Sequence, residues 1–242
     1  MKQELYDSSL KLEIIIILLV NIFFYFLFAK IDFLEFLYVF SIEHEEYELD
    51  EIIPLFMTLA LSLLVFSYRR LREIKKFTSN LYFMANHDQM TQIYNRRYMT
   101  DVLKVEQDRV NRSGSVFSLI LLDIDDFKKV NDNYGHQAGD RVLIEFSRML
   151  KKSIRNVDVL CRWGGEEFLI LCRDTDQAGA EAIATKISEM IRLFKWDHVE
   201  PVGASMGVVS SKKEQSTDQL FLRVDNALYE AKSNGKNQYI VG

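Results

Sequence analysis

The chain is poor in the residues that mark several protein classes. Two cysteines in 242 residues exclude a disulfide-stapled secreted scaffold. Two prolines and ten glycines exclude collagen-like and Pro/Gly low-complexity chains. A basic excess is also missing: 30 Lys and Arg against 35 Asp and Glu leave a net charge of −5, which argues against a nucleic-acid partner held by bulk charge. No internal repeat is apparent.

What is there falls into two unlike halves. Ile14–Ala29 carries no charge and one strongly polar residue, Asn21; Ile52–Tyr68 is again uncharged. Apolar stretches of about 17–20 residues cross a hydrocarbon core of roughly 30 Å as helices. The first stretch is short, and Leu12 extends it. Pro54 stands in the first turn of the second, where a missing N–H costs little. A cleaved signal peptide fits the first stretch poorly, because Lys2, Glu4, Asp7 and Lys11 balance in charge and no small-residue cleavage site comes after it. A buried soluble hairpin is the other alternative, but Ile14–Val20 is apolar all round rather than on one stripe.

The flanks give orientation. One base, Lys30, lies between the spans among eight acids, whereas Arg69, Arg70, Arg72, Lys75 and Lys76 come after the second. The positive-inside rule places that basic cluster in the cytoplasm, with both termini inside and the acidic loop outside. His44 within the loop is open to a metal- or pH-sensing role, but a solvated acidic loop is the plainer reading. From Leu61 a seam of Leu64, Tyr68, Leu71, Ile74, Thr78, Leu81 and Ala85 has near-heptad spacing, which suits a helix pairing with a copy of itself. Packing of that helix on its own domain is the alternative. The expected organisation is a two-span membrane module (1–68), a helical linker (69–85) and a cytoplasmic domain (86–242).

The last part reads as mixed α/β. Helices are expected over Met90–Arg112, Asp126–Tyr134, Asp140–Lys152, Ala178–Phe194 and Thr217–Ser233. Strands are expected over Val116–Leu122, Asp158–Trp163, Glu167–Cys172, Val202–Ser210 and Gln238–Val241. Gly164-Gly165 joins the second and third strands as a hairpin. The class is α/β (α+β), a sheet with helices packed on it.

Two signals carry chemistry. Asp123 ends the apolar run Val116–Leu122, and a carboxylate at a strand end projects into the crevice where ligands bind in open sheets. The hairpin tip Gly164-Gly165-Glu166-Glu167 sets two repelling glutamates beside a tight turn with room for a ligand. If the hairpin lies beside the first strand, Asp123 and Glu166 converge. Oxygen ligands with phosphate suit Mg²⁺, and paired ions promote in-line displacement at phosphorus. A charged turn with a solvated strand end is the alternative.

Five ordered stretches go further: Asp88–Arg97, Asp123–Asp140, Arg162–Phe168, Ser205–Gly207 and Ala227–Asn237. On them, residues 86–242 resemble the GGDEF domain of the diguanylate cyclases. The resemblance implies a nucleotidyl cyclase or polymerase-palm-like sheet wrapped by helices. It implies condensation of two GTP into cyclic di-GMP and two pyrophosphates by a homodimer in which each domain presents one GTP. Asp123, the Ile124 carbonyl and Glu166 would ligate Mg²⁺, two ions per active site, with Mn²⁺ able to substitute. Glu167 would accept the 3′-hydroxyl proton or assist the metals. Backbone amides near Asp126, Phe127 and Lys128 would cradle phosphates, Lys128 would stabilise the leaving pyrophosphate, and Lys232 and Lys236 would hold the terminal phosphates. Asn131 and Asp140 would read guanine, with His136 lining the same site. Arg155 and Asp158, an Arg-x-x-Asp just ahead of the hairpin, match the family's product-inhibition site.

Plainer roles stand beside these. Asp140 also suits a helix cap, His136 a packing residue, and Lys232 and Lys236 a solvated helical face one turn apart. Asp125 reads as hydrogen-bond support rather than a second ligand, and Arg96 and Arg97 as structural. The sequence departs from the usual motif with Glu for Asp at Glu166, Lys for Arg at Lys236, and Met90 and Ile93 for leucines. Cys161 should oppose roughly Phe168, too far from Cys172 for a bridge. The expectation is a diguanylate cyclase of the bacterial inner membrane, with GTP as substrate, cyclic di-GMP as product and inhibitor, and no nucleic-acid partner. The rivals are a catalytically silent membrane-bound receptor for cyclic di-GMP and a cyclase acting on another nucleotide.

Overall fold

A computed structural model of the chain describes residues 32–43 and 49–242, with scattered positions between 15 and 30. The chain divides into two compact units, Met1–Lys76 and Phe77–Gly242. Helix α1 covers Phe33–Glu43, and helix α2 begins at Leu49 and runs to Asn86. Seven of the sixteen residues of the expected first span, Ile14–Ala29, lie outside the described residues, and so does His44. Among the described residues no helix is long and apolar enough to cross a membrane. From Leu55 to Tyr68 the side chains of α2 are uncharged, and at about 1.5 Å per residue that stretch covers ~20 Å of a roughly 30 Å core. The end of α2 is tied to the segment after it: Phe83 stacks on His87 with centroids 4.0 Å apart, and the Asn95 side-chain amide donates to the Ala85 carbonyl at 2.9 Å.

The second unit is built on a six-stranded sheet. Its strands are β1 (Tyr94–Asn95), β2 (Phe117–Ile124), β3 (Val159–Arg162), β4 (Glu167–Arg173), β5 (Ala204–Ser210) and β6 (Tyr239–Val241), in the order β1-β3-β4-β2-β5-β6. The outer pairs are parallel and the inner pairs antiparallel. Strand β2 is central because its run is apolar on both faces. Ile120, Leu122 and Ile124 enter the core under α5 (His136–Ser153) and α6 (Gln177–Leu193). Leu119 and Leu121 enter the core under α3 (Arg96–Ser113) and α7 (Thr217–Ser233). A short helix, α4 (Phe127–Tyr134), precedes α5.

Three sequence expectations change. The helix expected from Met90 starts at Arg96, because the Asp88 carboxylate captures the Thr91 N–H at 2.8 Å and its hydroxyl at 2.7 Å, and Gln92 then turns left-handed at φ 61°. This local turn competes with helix and delivers the chain to β1. The helix expected from Asp140 starts at His136, one residue after Gly135, whose φ of 82° breaks α4 from α5; Asp140 therefore lies inside the helix and does not cap it. The hairpin register pairs Cys161 with Leu169 rather than Phe168. Cys161 and Cys172 are free and lie in the two different cores, on opposite faces of the sheet.

Two contacts hold the elements that carry functional groups. A Cβ on Gly207 of β5 would collide with the Val224 carbonyl and lie 2.6 Å from the Leu228 amide, so only glycine lets the α7 backbone sit directly on the sheet. The Arg162 guanidinium reaches Asp88 at 3.3 Å and donates to the Gly165 carbonyl at 2.7 Å, which ties the Asp88 turn to the hairpin tip. Burial alone would raise the Asp88 pKa, but hydrogen bonds from Thr91 and the Arg162 charge outweigh it and hold the carboxyl below its ordinary value.

Gly207→Val should lower unfolding stability by about 2 kcal/mol through overpacking; an unchanged denaturant midpoint would contradict the close approach. Because the folded Asp88 pKa is depressed, its stabilisation is present above the unfolded value near 3.9 and lost as pH falls through the lower folded value. The gap in denaturant midpoint between the wild-type chain and Asp88→Asn should therefore be full at neutral pH and shrink below about pH 4. A gap independent of pH would remove the role given to Asp88.

Candidate active site

The β2–β4 ladder ends at the pair Asp123–Glu167, so these two side chains share the α3/α7 face of the sheet. One step on, the Ile124 N–H donates to the Glu166 carbonyl at 3.3 Å, which stitches the hairpin tip to the end of β2. The hairpin tip thus lies beside the end of β2, which sets Glu167 opposite Asp123 and Glu166 at the same junction, near enough for the Asp123 charge to act on both glutamates. Burial raises the Asp123 pKa, opposed by Lys232, whose ammonium lies 2.8 Å from Asp123 Oδ2. Burial and then the Asp123 charge raise both Glu166 and Glu167.

The glycines of the tip act by space rather than by backbone angle, since neither is among the residues with positive φ. A Cβ on Gly164 would stand 2.5 Å from Glu167 Oε2, whereas beside Gly165 nothing lies within 4 Å. Gly164 therefore gives Glu167 its place, and Gly165 leaves open ground next to the acids. Next to Glu167 a cleft of about 550 Å³ is lined by Arg96, Trp163, Phe221 and Asp225. Arg96, which the sequence marks only as structural, lies over the Trp163 ring at 4.4 Å, and that ring stacks on Phe221 at 4.6 Å.

Beyond Ile124 the chain turns sharply. Asp125 accepts from the Ser205 hydroxyl at 2.7 Å and from the Asn237 N–H at 2.9 Å, so both oxygens brace neighbouring segments, as a support would. Asp126 adopts the left-handed region at φ 54° and starts α4 without a side-chain cap. Phe127 is buried in the core and anchors this turn; Lys128 is exposed beside it. The Asn131 side chain lies so close over Gly139 that a Cβ there would overlap its oxygen, which sets Asn131 against the residue before Asp140 on the adjoining helix. His136 and Asp140 are exposed. Lys232 is in the last turn of α7, but Lys236 is not one helical turn further on. The helix ends at Ser233, and Lys236 sits in a left-handed turn at φ 63° with its ammonium 2.9 Å from Asp126.

The Arg155–Asp158 pair forms a separate place. Asp158 is buried, and its two oxygens accept from the Arg155 N–H at 2.9 Å and the Arg173 N–H at 3.2 Å. The Arg155 side chain is exposed. The aspartate thus shapes the turn that presents the guanidinium, and a further partner would use its remaining lone pairs.

A divalent cation fits this donor set. Asp123, Glu166, Glu167 and the Ile124 carbonyl are hard oxygen groups; burial, and for the two glutamates the Asp123 charge, raises the acids' pKa values while Lys232 opposes the shift. Among the described residues no three acidic, His or Cys side chains are already gathered as a metal cluster, and Lys232 stands at Asp123 instead. The sequence has no signal for that pairing, nor for the contact of Arg162 with Asp88. Both depend on the distance between segments remote in the chain.

Comparison with known proteins gives the family and the fold. The family model described as the diguanylate cyclase GGDEF domain matches residues 85–238. The diguanylate cyclase DgcM of Escherichia coli is 36% identical over 168 residues, which are 69% of this chain and 41% of that protein, so the chain spans well under half of that relative's length. Among solved structures, the coiled coil and GGDEF domain of DgcB from Caulobacter crescentus in complex with c-di-GMP is 25% identical with a TM-score of 0.68, covering 75% of this chain and 98% of that one. The active GGEEF domain of a diguanylate cyclase from Vibrio cholerae is 31% identical with a TM-score of 0.58, covering 61% of this chain and 96% of that one. With a family model matching residues 85–238, most of its length, the chain belongs to the GGDEF family of diguanylate cyclases.

Proposed function

We propose that the chain condenses two GTP into cyclic di-GMP. Each 3′-hydroxyl attacks the α-phosphate of the other nucleotide; two P–O bonds form, two pyrophosphates leave, and the two hydroxyl protons pass to a base. The observation that carries this reading is the meeting of Asp123, Glu166 and Glu167 beside the open ground at Gly165. The GGEEF domain of the Vibrio cholerae enzyme, called active, supports glutamate in place of the motif's usual aspartate.

Residue roles are set by position. Asp123, Glu166 and the Ile124 carbonyl would hold Mg²⁺, with Glu167 on the same face as Asp123 and free to share that work or take the proton. When bound, the metal supplies charge neutralisation at phosphate and lowers the pKa of the attacking hydroxyl. Backbone amides at the start of α4 and the Lys128 ammonium are suited to developing negative charge on pyrophosphate. Asn131, against Gly139, and Asp140, the residue after it, would read guanine, the carboxylate accepting the N1–H and 2-amino hydrogens, which adenine cannot offer as a pair. His136 sits at the head of the same helix.

One domain presents one nucleotide, so the reaction needs a second copy. The exposed Leu61, Leu64, Tyr68, Leu71 and Leu81 of α2 offer a pairing seam, and the related DgcB has a coiled coil as well as a GGDEF domain. The uncharged Ile52–Tyr68, with Arg69, Arg70, Arg72, Lys75 and Lys76 after it, supports anchorage of the first 68 residues in a bacterial inner membrane, with the catalytic domain cytoplasmic. Arg155, with Asp158 behind it, serves as the feedback site for cyclic di-GMP, its guanidinium taking phosphate and guanine acceptors.

The full-length chain in detergent, given GTP and Mg²⁺, should yield cyclic di-GMP, and Asp123→Asn should cut the rate by ~100-fold or more with folding intact. Product formation by the variant at the wild-type rate would overturn the assignment, and no product from a demonstrated wild-type dimer would favour a silent receptor. Arg155→Ala should raise the cyclic di-GMP concentration for half-inhibition by about tenfold or more while leaving initial turnover in place. Unchanged inhibition in that variant would remove the feedback site.

A further inference from the structure

The two lysines expected to hold GTP phosphates are each paired with an aspartate of the chain. Lys232 Nζ lies 2.8 Å from Asp123 Oδ2, and the Asp123 side chain is only 10% exposed. Lys236 Nζ lies 2.9 Å from Asp126 Oδ1, where Lys129 also reaches at 3.2 Å. We propose that these pairs form a latch: without nucleotide, Lys232 competes with divalent cation for Asp123, and the two aspartates compete with phosphate for the lysines, so that metal enters together with GTP rather than ahead of it. This rests on the cyclase reading of the site and adds an order of binding to it.

The latch works by exchange of partners. Asp123 is a nearly buried carboxylate with Glu166 and Glu167 adding like charge around it, and the ammonium of Lys232 is the cation in contact with it. A free divalent ion that takes Asp123 must strip away that ammonium and leave it beside the incoming charge. The lysine cannot simply swing off with its helix, because Gly207 seats the α7 backbone directly on β5. Lys236 is held by a different device: Asp126, Lys236 and the adjoining Asn237 all have left-handed backbones, at φ 54°, 63° and 47°, and Asn237 is pinned by its N–H to Asp125 at 2.9 Å. The loop geometry therefore aims Lys236 at Asp126.

A triphosphate alters both contests at once. It carries several negative charges on one ligand and offers each lysine a better partner than a single carboxylate. As Lys232 moves to phosphate, Asp123 is released to the metal that travels with the nucleotide. Each lysine trades a carboxylate for a phosphate, and Asp123 trades an ammonium for a divalent cation. No covalent bond changes.

The test is equilibrium binding of Mn²⁺ to the full-length chain in detergent, read from the free Mn²⁺ electron paramagnetic resonance signal. Without nucleotide, Lys232→Met should bind Mn²⁺ about tenfold more tightly than the wild-type chain, because the competing cation is gone while the stem is kept. The gain should vanish in the double variant Asp123→Asn/Lys232→Met. With a non-hydrolysable GTP analogue present, the wild-type chain should bind Mn²⁺ tightly. Unchanged or weaker Mn²⁺ binding by Lys232→Met would overturn the latch. A second variant leaves the buried acid alone: Asp126→Asn, whose new side chain tolerates the left-handed turn, should bind the metal-free analogue a few-fold more tightly. No gain there would overturn the Lys236 half. These readouts need no turnover, so a chain that binds as described but makes no cyclic di-GMP would sink the cyclase reading and leave the latch standing.

Discussion

The antiparallel pairing of β2 with β4 is the constraint on which the rest depends. It carries a hydrophobic strand, buried on both faces, to an end that holds one carboxylate, Asp123. Its register sets Asp123 opposite Glu167, and the Ile124 N–H draws the Glu166 carbonyl into the same junction. Side chains alternate along β2, so the apolar contacts of Leu119 and Leu121 with the α3/α7 core decide that Asp123 faces those helices too. A slip of one residue would send the aspartate to the other core. Packing energy spread along the strand thus fixes the position of one charged atom group.

That position is electrostatically costly, and the surrounding structure answers the cost in layers. Lys232 supplies charge from α7, and α7 lies close enough only because Gly207 has no side chain. The hairpin that brings Glu166 and Glu167 is braced by Arg162, which links the Gly165 carbonyl to Asp88 and through it to Thr91. Asp125 does the same for the far side of the site, joining Ser205 of β5 to Asn237 after α7. The pattern is one of acids that would contact substrate or metal, supported by neighbours whose own hydrogen bonds are already satisfied within the fold. Such a site is set before a ligand arrives, apart from the lysine contacts that a ligand must break.

Much of this is legible in the sequence where the signal is local or strongly periodic. The apolar run into Asp123, the diglycine hairpin and the helix Thr217–Ser233 lie where the residue pattern puts them. The departures have physical causes. Met90 to Asn95 is expected to open a helix, but the Asp88 carboxylate takes the Thr91 amide first. Asp140 looks like a cap because aspartate often is one, while Gly135 already marks the true start of the helix. Lys236 looks like the next turn of α7, but the chain has left the helix by Ser233. The contacts that need long-range placement, Lys232 with Asp123 and Arg96 over Trp163, leave no trace in spacing.

Everything proposed for the reaction requires the acids at the β2–β4 junction to form a divalent-cation site in the nucleotide complex. The most direct test is anomalous scattering from Mn²⁺ in crystals of the chain grown with a non-hydrolysable GTP analogue. Peaks bounded by Asp123 and the hairpin glutamates, with phosphate oxygens completing the coordination, are the predicted result. Manganese bound to the nucleotide but remote from all three carboxylates would contradict it.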